Sequence, residues 1–131
     1  MIKELTLIFA ALYGGLAIIF GAFGAHALKK IFNQEQLVSF ETGVKYQMYH
    51  ALVLLIVGVQ FPLVNTVEVI MVWLFILGTF LFSFSIYGLC ITSAKGNKIK
   101  LLGPVTPLGG LLLVAGWACM LIYILSYGKF L

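Results

Sequence analysis

Charge is scarce in this chain: charged residues make up 9% of its 131 positions and apolar ones 63%, far from the mixture a soluble domain uses. Aspartate and arginine are missing altogether. Without aspartate there is no Ser-His-Asp arrangement. The four acids, Glu4, Glu35, Glu41 and Glu68, fall at termini, in loops or at expected helix starts. None stands in the middle of an apolar run, where an ion-coupled cation exporter needs its acid. Without arginine, eight lysines scattered over loops make no stripe for a phosphate backbone, so nucleic acid is not an expected partner despite a net charge of +4. Only two cysteines occur. Cys90 and Cys119 stand alone in separate apolar runs and read as small core residues rather than a disulfide, metal site or redox pair. No His-Glu-x-x-His run and no phosphate-loop lysine pattern is present, so neither a cofactor nor a metal is expected.

What is abundant is apolar length. Uncharged runs cover Leu5 to Leu28, Tyr46 to Val67, Val69 to Ala94 and Leu101 to Gly128, each longer than the roughly 20 residues an α-helix needs to cross a bilayer core. A chain this small cannot hide so much apolar surface in its own interior, and unpaired backbone in lipid restricts the crossings to helices or a closed barrel. Alternating polar and apolar strands are absent, which removes the barrel. The expectation is an all-α, single-domain bundle of four transmembrane helices over residues 1–131. The first run follows Lys3 and contains Ala25-His26-Ala27, the pattern of a signal-peptidase site. It is nevertheless longer than the apolar region of about 7 to 15 residues typical of a signal peptide, and reads as a retained helix.

Local signals place the helix ends. Asn33 and Gln36 form a capping-box pattern with Phe32 and Leu37 as its staple; Asn65 and Glu68 repeat it with Val64 and Val69. Leu37, Phe40, Val44 and Met48 give the stretch before the second crossing an apolar face, and Glu41 and Lys45 can pair at i, i+4. Together they predict an amphipathic segment that lies along or dips into the membrane surface before turning down. Pro62 lies in a short link that makes the second and third helices antiparallel neighbours. Thr106 is the expected cap of the last helix and Pro107 its first residue. Lys29, Lys30, Lys45, Lys95, Lys98 and Lys100 belong to the first and third loops, Lys3 and Lys129 to the opposite side. The positive-inside rule therefore puts the first and third loops in the cytoplasm.

Two features invite a functional reading. Ala10, Gly14, Ala17, Gly21 and Gly24 recur every three or four residues along the first helix, the smooth face that lets helices pack closely in lipid; a narrow solute path beside the glycines is the alternative. The second feature is polar: Glu41, Tyr46, Gln47 and His50 on the second helix, His26 on the same membrane side, and Thr79, Ser83 and Tyr87 on the third helix. Polar groups in hydrocarbon need partners. Either these side chains bond to one another and to helix ends, or a histidine relays protons or grips a polar ligand. Two histidines and a glutamate could also make a facial triad, although His26 and His50 have no local ligand spacing.

Gly21-Ala-Phe-Gly-Ala-His26, Thr42-Gly43, Tyr46-Gln47, His50, Leu81-Phe-Ser83, Ser85, Tyr87, Val105-Thr-Pro-x-Gly-Gly110 and Ala115-Gly116-Trp117 together resemble the domain-of-unknown-function 423 (UPF0382) family, to which animal transmembrane protein 256 is similar. Phe84 stands where glycine is frequent between the two serines. The resemblance implies a multi-pass plasma-membrane protein and brings no catalytic residues. The leading functional expectation is a non-enzymatic bundle acting by structure, lipid contact, self-association or a membrane-protein partner; the alternative is a small channel or transporter for protons or a small polar solute.

Overall fold

Both asparagine caps start a helix. Asn33 Oδ1 accepts the Gln36 amide at 2.8 Å while Gln36 Oε1 accepts the Asn33 amide at 3.0 Å, a reciprocal box that opens helix α2, Gln34–Gln60. Asn65 and Glu68 do the same at 2.9 and 3.1 Å for α3, Thr66–Thr79. The computed structural model describes residues 1–128 and places α1 at Ile2–Ala25, α4 at Ser85–Ala94 and α5 at Val105–Tyr127. A π-helical turn, Phe80–Phe84, joins α3 to α4. Short 3-10 turns, Leu28–Lys30 and Lys100–Leu102, precede α2 and α5. The described residues contain no strand. Four rods, Ile2–Lys30, Gln34–Gln60, Thr66–Ala94 and Lys100–Tyr127, are long and apolar enough to cross a membrane.

The small-residue face of α1 packs on α2. A Cβ on Gly14 would lie 3.8 Å from Ala51, one on Gly21 3.5 Å from Val44, and one on Gly24 3.1 Å from Phe40; Ala10 and Ala17 are buried in the same seam. Without a hydrophobic drive between helices in lipid, backbone closeness supplies the dispersion contact. The α3–α5 contact follows the same rule: Gly78 receives Leu113, Gly116 receives Phe75, and Gly109 lies against the Phe82 backbone of the π turn.

Gly58 meets Thr6 and Leu7, whereas Gln36 Nε2 reaches Ser93 Oγ at 3.4 Å. The start of α1 and the α2–α3 link therefore share one end of the bundle, and the first and third loops share the other. Lys129, used above for orientation, lies outside the described residues.

Three local expectations are corrected. The amphipathic stretch from Leu37 to Met48 is there, with Phe40 and Gly43 buried and Glu41 and Lys45 exposed, but it does not run along a surface and then turn: it forms turns of a continuous α2. Thr106 does not cap α5, which begins at Val105; its hydroxyl is 2.6 Å from Ser85 Oγ. Val64 is 82% exposed and makes no staple with Val69. In its place Glu68 Oε2 accepts the Val64 amide at 2.8 Å, and buried Leu63 turns the chain at φ 57°, a left-handed conformation costing roughly 1–2 kcal/mol.

These approaches make a graded packing test. Gly109→Ala would drive a methyl group into the Phe82 backbone and should cost about 1–3 kcal/mol in detergent-induced unfolding followed by circular dichroism. Gly15→Ala, with open space around the added methyl, should leave stability unchanged within about 1 kcal/mol.

Candidate functional site

The centre of the bundle contains an amide. Gln47, midway along α2 and fully buried, has both ends of its side chain engaged: Nε2 donates to the Tyr13 carbonyl at 2.9 Å, and Oε1 accepts from the Tyr87 hydroxyl at 2.7 Å. Tyr13 in turn donates its hydroxyl to the Ile76 carbonyl at 2.8 Å. Donation thus runs from α4 to α2 to α1 and on to α3. Beside it Ser83 donates to the Gly43 carbonyl at 2.7 Å. Gly43 is required there, since a Cβ would come within 2.8 Å of the Tyr87 ring and push the phenol off Gln47.

One turn along α2, His50 makes the link to α5. Trp117 Nε1 lies 3.2 Å from His50 Nε2, and His50 Nδ1 lies 2.8 Å from the Tyr46 carbonyl. An indole nitrogen only donates and a carbonyl only accepts. Nε2 must therefore accept and Nδ1 must carry the proton, which assigns a neutral ring with both nitrogens engaged. The imidazole also packs against Phe75, ring centroids 5.7 Å apart.

Other side chains singled out from sequence lie elsewhere. His26 is exposed at the end of α1, away from this network. Glu41 pairs with Lys45 at 3.1 Å on the outside of α2, with 64% and 54% of the two side chains exposed. Tyr46 is 42% exposed and contributes its carbonyl. The polar layer thus joins Gln47, His50, Ser83 and Tyr87 and excludes His26 and Glu41. Among the described residues no three His, Cys, Asp or Glu side chains converge as metal ligands.

Sequence reasoning missed Tyr13 and Trp117. Tyr13 was detectable as the one hydroxyl falling at helical spacing between Ala10 and Ala17; Trp117 gave no signal beyond following Gly116. It also treated Glu68 as a boundary residue. Glu68 is fully buried, with Oε2 on two backbone amides and Tyr123 hydrogen-bonded to its carboxylate.

Tyr87→Phe would leave Gln47 Oε1 without its donor and should cost about 1–2 kcal/mol. Gln47→Leu should remove most of that effect when combined with it, so a double-mutant cycle in detergent unfolding should show coupling; simple additivity would deny the bond its role. Thr79 gives the opposite sign. Its hydroxyl is fully buried with no hydrogen-bond partner among the described residues, so Thr79→Val should stabilise the fold by about 1 kcal/mol.

The relatives of this chain are named as membrane proteins, and those names carry no activity. The family described as "Protein of unknown function (DUF423)" matches residues 20–110, which include Gly21 and Gly24 of α1, Gln47, His50, Ser83 and Tyr87 of the polar layer, and the π turn with Gly109 of α5, but neither Tyr13 nor Trp117. A UPF0382 membrane protein of Staphylococcus haemolyticus is 39% identical over 91% of this chain and 93% of its own. One from Schizosaccharomyces pombe is 38% identical over 86% and 95%, and the UPF0382 inner membrane protein YgdD of Escherichia coli K12 is 36% identical over 93% and 90%. No solved structure matches. On the strength of the family match and these relatives, the chain belongs to the DUF423/UPF0382 family of multi-pass membrane proteins.

Proposed function

We propose that this protein is a non-enzymatic membrane bundle that acts through its contacts with lipid and with other membrane proteins. The observation that carries the reading is the closure of the central polar layer. Gln47, His50, Ser83, Tyr87 and Tyr13 each donate to a partner inside the bundle, and Trp117 donates to His50. A solute path needs polar groups that face a lumen and exchange partners; here the bonds tie helix to helix. A proton relay through His50 would have to break the Trp117 bond, because a protonated ring places a second N–H against the indole donor.

The reading also gives an orientation: the first and third loops face the cytoplasm. It is supported by the gathering of Lys29, Lys30, Lys95, Lys98 and Lys100 at one end of the bundle.

Proteoliposomes holding the wild-type protein should show no pH-driven flux above empty vesicles. His50→Ala should lower stability by about 1–3 kcal/mol with no separable small molecule lost in native mass spectrometry. Flux that Gln47→Leu abolishes, or a ligand lost from a folded His50→Ala protein, would overturn the reading in favour of a transporter. Orientation is checked in a Cys90→Ala, Cys119→Ala background: Asn97→Cys should react with an impermeant thiol reagent only after the cytoplasmic face is opened, and exposed Val64→Cys in intact cells.

A further inference from the structure

Helix α2 carries exposed charge at a depth where its neighbours carry exposed hydrocarbon. Gln47 bonds to Tyr13 midway along both helices. At 1.5 Å rise per residue, Lys45 lies about 3 Å and Glu41 about 9 Å along α2 from Gln47, and about 9 and 15 Å from Ala51, which faces the middle of α1 at Gly14. At the same depth α1 exposes Ile18, Ile19 and Phe23, and α5 exposes Leu108 and Leu111; Gly21 against Val44 and Gly109 against Phe82 fix these levels. A bilayer centred on the bundle would set the Glu41–Lys45 pair among acyl chains, a costly placement unless something polar reaches it.

That position is the wall of a groove. Between the end of α1 and the first turns of α2 lies a cavity of about 590 Å³, within the range of roughly 300–1,000 Å³ typical of small-molecule sites. Its floor is apolar, made by Gly21, Ala25 and Val44 with the ring of Phe40; its charged lining is Lys29, Lys45 and Glu41. The lysines outnumber the acid. A second groove at this end, about 560 Å³, is lined by one lysine, Lys98, one acid, Glu35, and several hydroxyls, so it carries no charge excess.

We propose that the groove between α1 and α2 holds an anionic phospholipid, with its phosphate on Lys29 and Lys45 and the upper part of an acyl chain along Gly21, Ala25 and Val44. Lys45 snorkels upward along the helix to meet the headgroup, and Lys29 comes down to it from the 3-10 turn. Basic pockets between membrane helices take phosphate headgroups in this way. The apolar floor suits an acyl chain, and a groove enclosed by two helices of one chain suits a lipid better than the convex side of a second copy. The assignment stands whether or not the bundle conducts a solute, so the flux experiment does not decide it.

The test is native mass spectrometry of purified protein equilibrated with equal amounts of phosphatidylglycerol and phosphatidylcholine. Wild type should retain one phosphatidylglycerol in preference to phosphatidylcholine. The double variant Lys29→Gln, Lys45→Gln should lose roughly tenfold or more of that retention, while Glu41→Gln should increase it. Ala25→Leu, which fills the floor and leaves both lysines, should also lower it; Lys98→Gln, in the neutral groove, should not. All five positions are exposed, and matching helical circular dichroism would certify the fold. Equal retention of the two lipids, undiminished retention by the double lysine variant, or a dimer whose formation excludes the lipid would overturn the proposal.

Discussion

A carboxamide at the centre of a transmembrane helix must be paired at both ends, and that requirement organises the bundle. Gln47 is fully enclosed, so an unmet oxygen or nitrogen there would face hydrocarbon rather than water. Its oxygen takes the Tyr87 hydroxyl and its nitrogen the Tyr13 carbonyl, which fixes three helices about one side chain. Each partner imposes a condition of its own. The Tyr87 ring reaches Gln47 only across Gly43, and the Tyr13 hydroxyl must end on the Ile76 carbonyl. Glycine, amide and phenol form one device: the small residue lets the helices approach, and the approach brings the polar groups into range.

The apolar packing is arranged to the same end. Phe75 fills the space over Gly116 and also supports the His50 ring, so the α3–α5 contact and the α2–α5 hydrogen bond share one side chain. Phe84, standing where relatives were expected to carry glycine, is taken up by an aromatic cluster: its ring lies 6.0 Å from Phe20 and 5.4 Å from Tyr87. The bulk is accommodated beside the polar layer, not within it.

Features written locally were legible in the sequence. The two capping boxes need only residues three apart, and the four crossings need only run length; both were read correctly. The polar partners were less legible because their bonds span the chain: Tyr13 to Ile76 across 63 positions, Trp117 to His50 across 67. Helical spacing gave the face on which Gln47 and His50 lie but not which helix would cover it. The same limit explains Thr106, whose Thr-Pro context suggested a cap until α4 offered Ser85, and His26, which shares a membrane side with the cluster but sits past the last turn that touches it. Glu68 was placed correctly at a helix start. Its burial depended on Tyr123 and the left-handed Leu63, neither visible in the local pattern.

The π turn reconciles two demands on one rod. At its beginning, Glu68 clamps α3 to the preceding link through two amides, and Tyr13 holds the Ile76 carbonyl. Further along, Ser83 and Tyr87 must face α2 while Ser85 faces Thr106 of α5. An α-helix turns about 100° per residue, so the additional residue in an i→i+5 turn shifts the downstream face by about that angle. Phe80–Phe84 supplies that shift between the two sets of contacts. With α-helical winding throughout and Glu68 held in place, Tyr87 would be turned away from Gln47 by about that angle and the central amide would lose its donor. The backbone irregularity and the mid-membrane glutamine are therefore one structural solution, and Gly109, which admits the Phe82 backbone at the turn, is the residue of α5 that makes room for it.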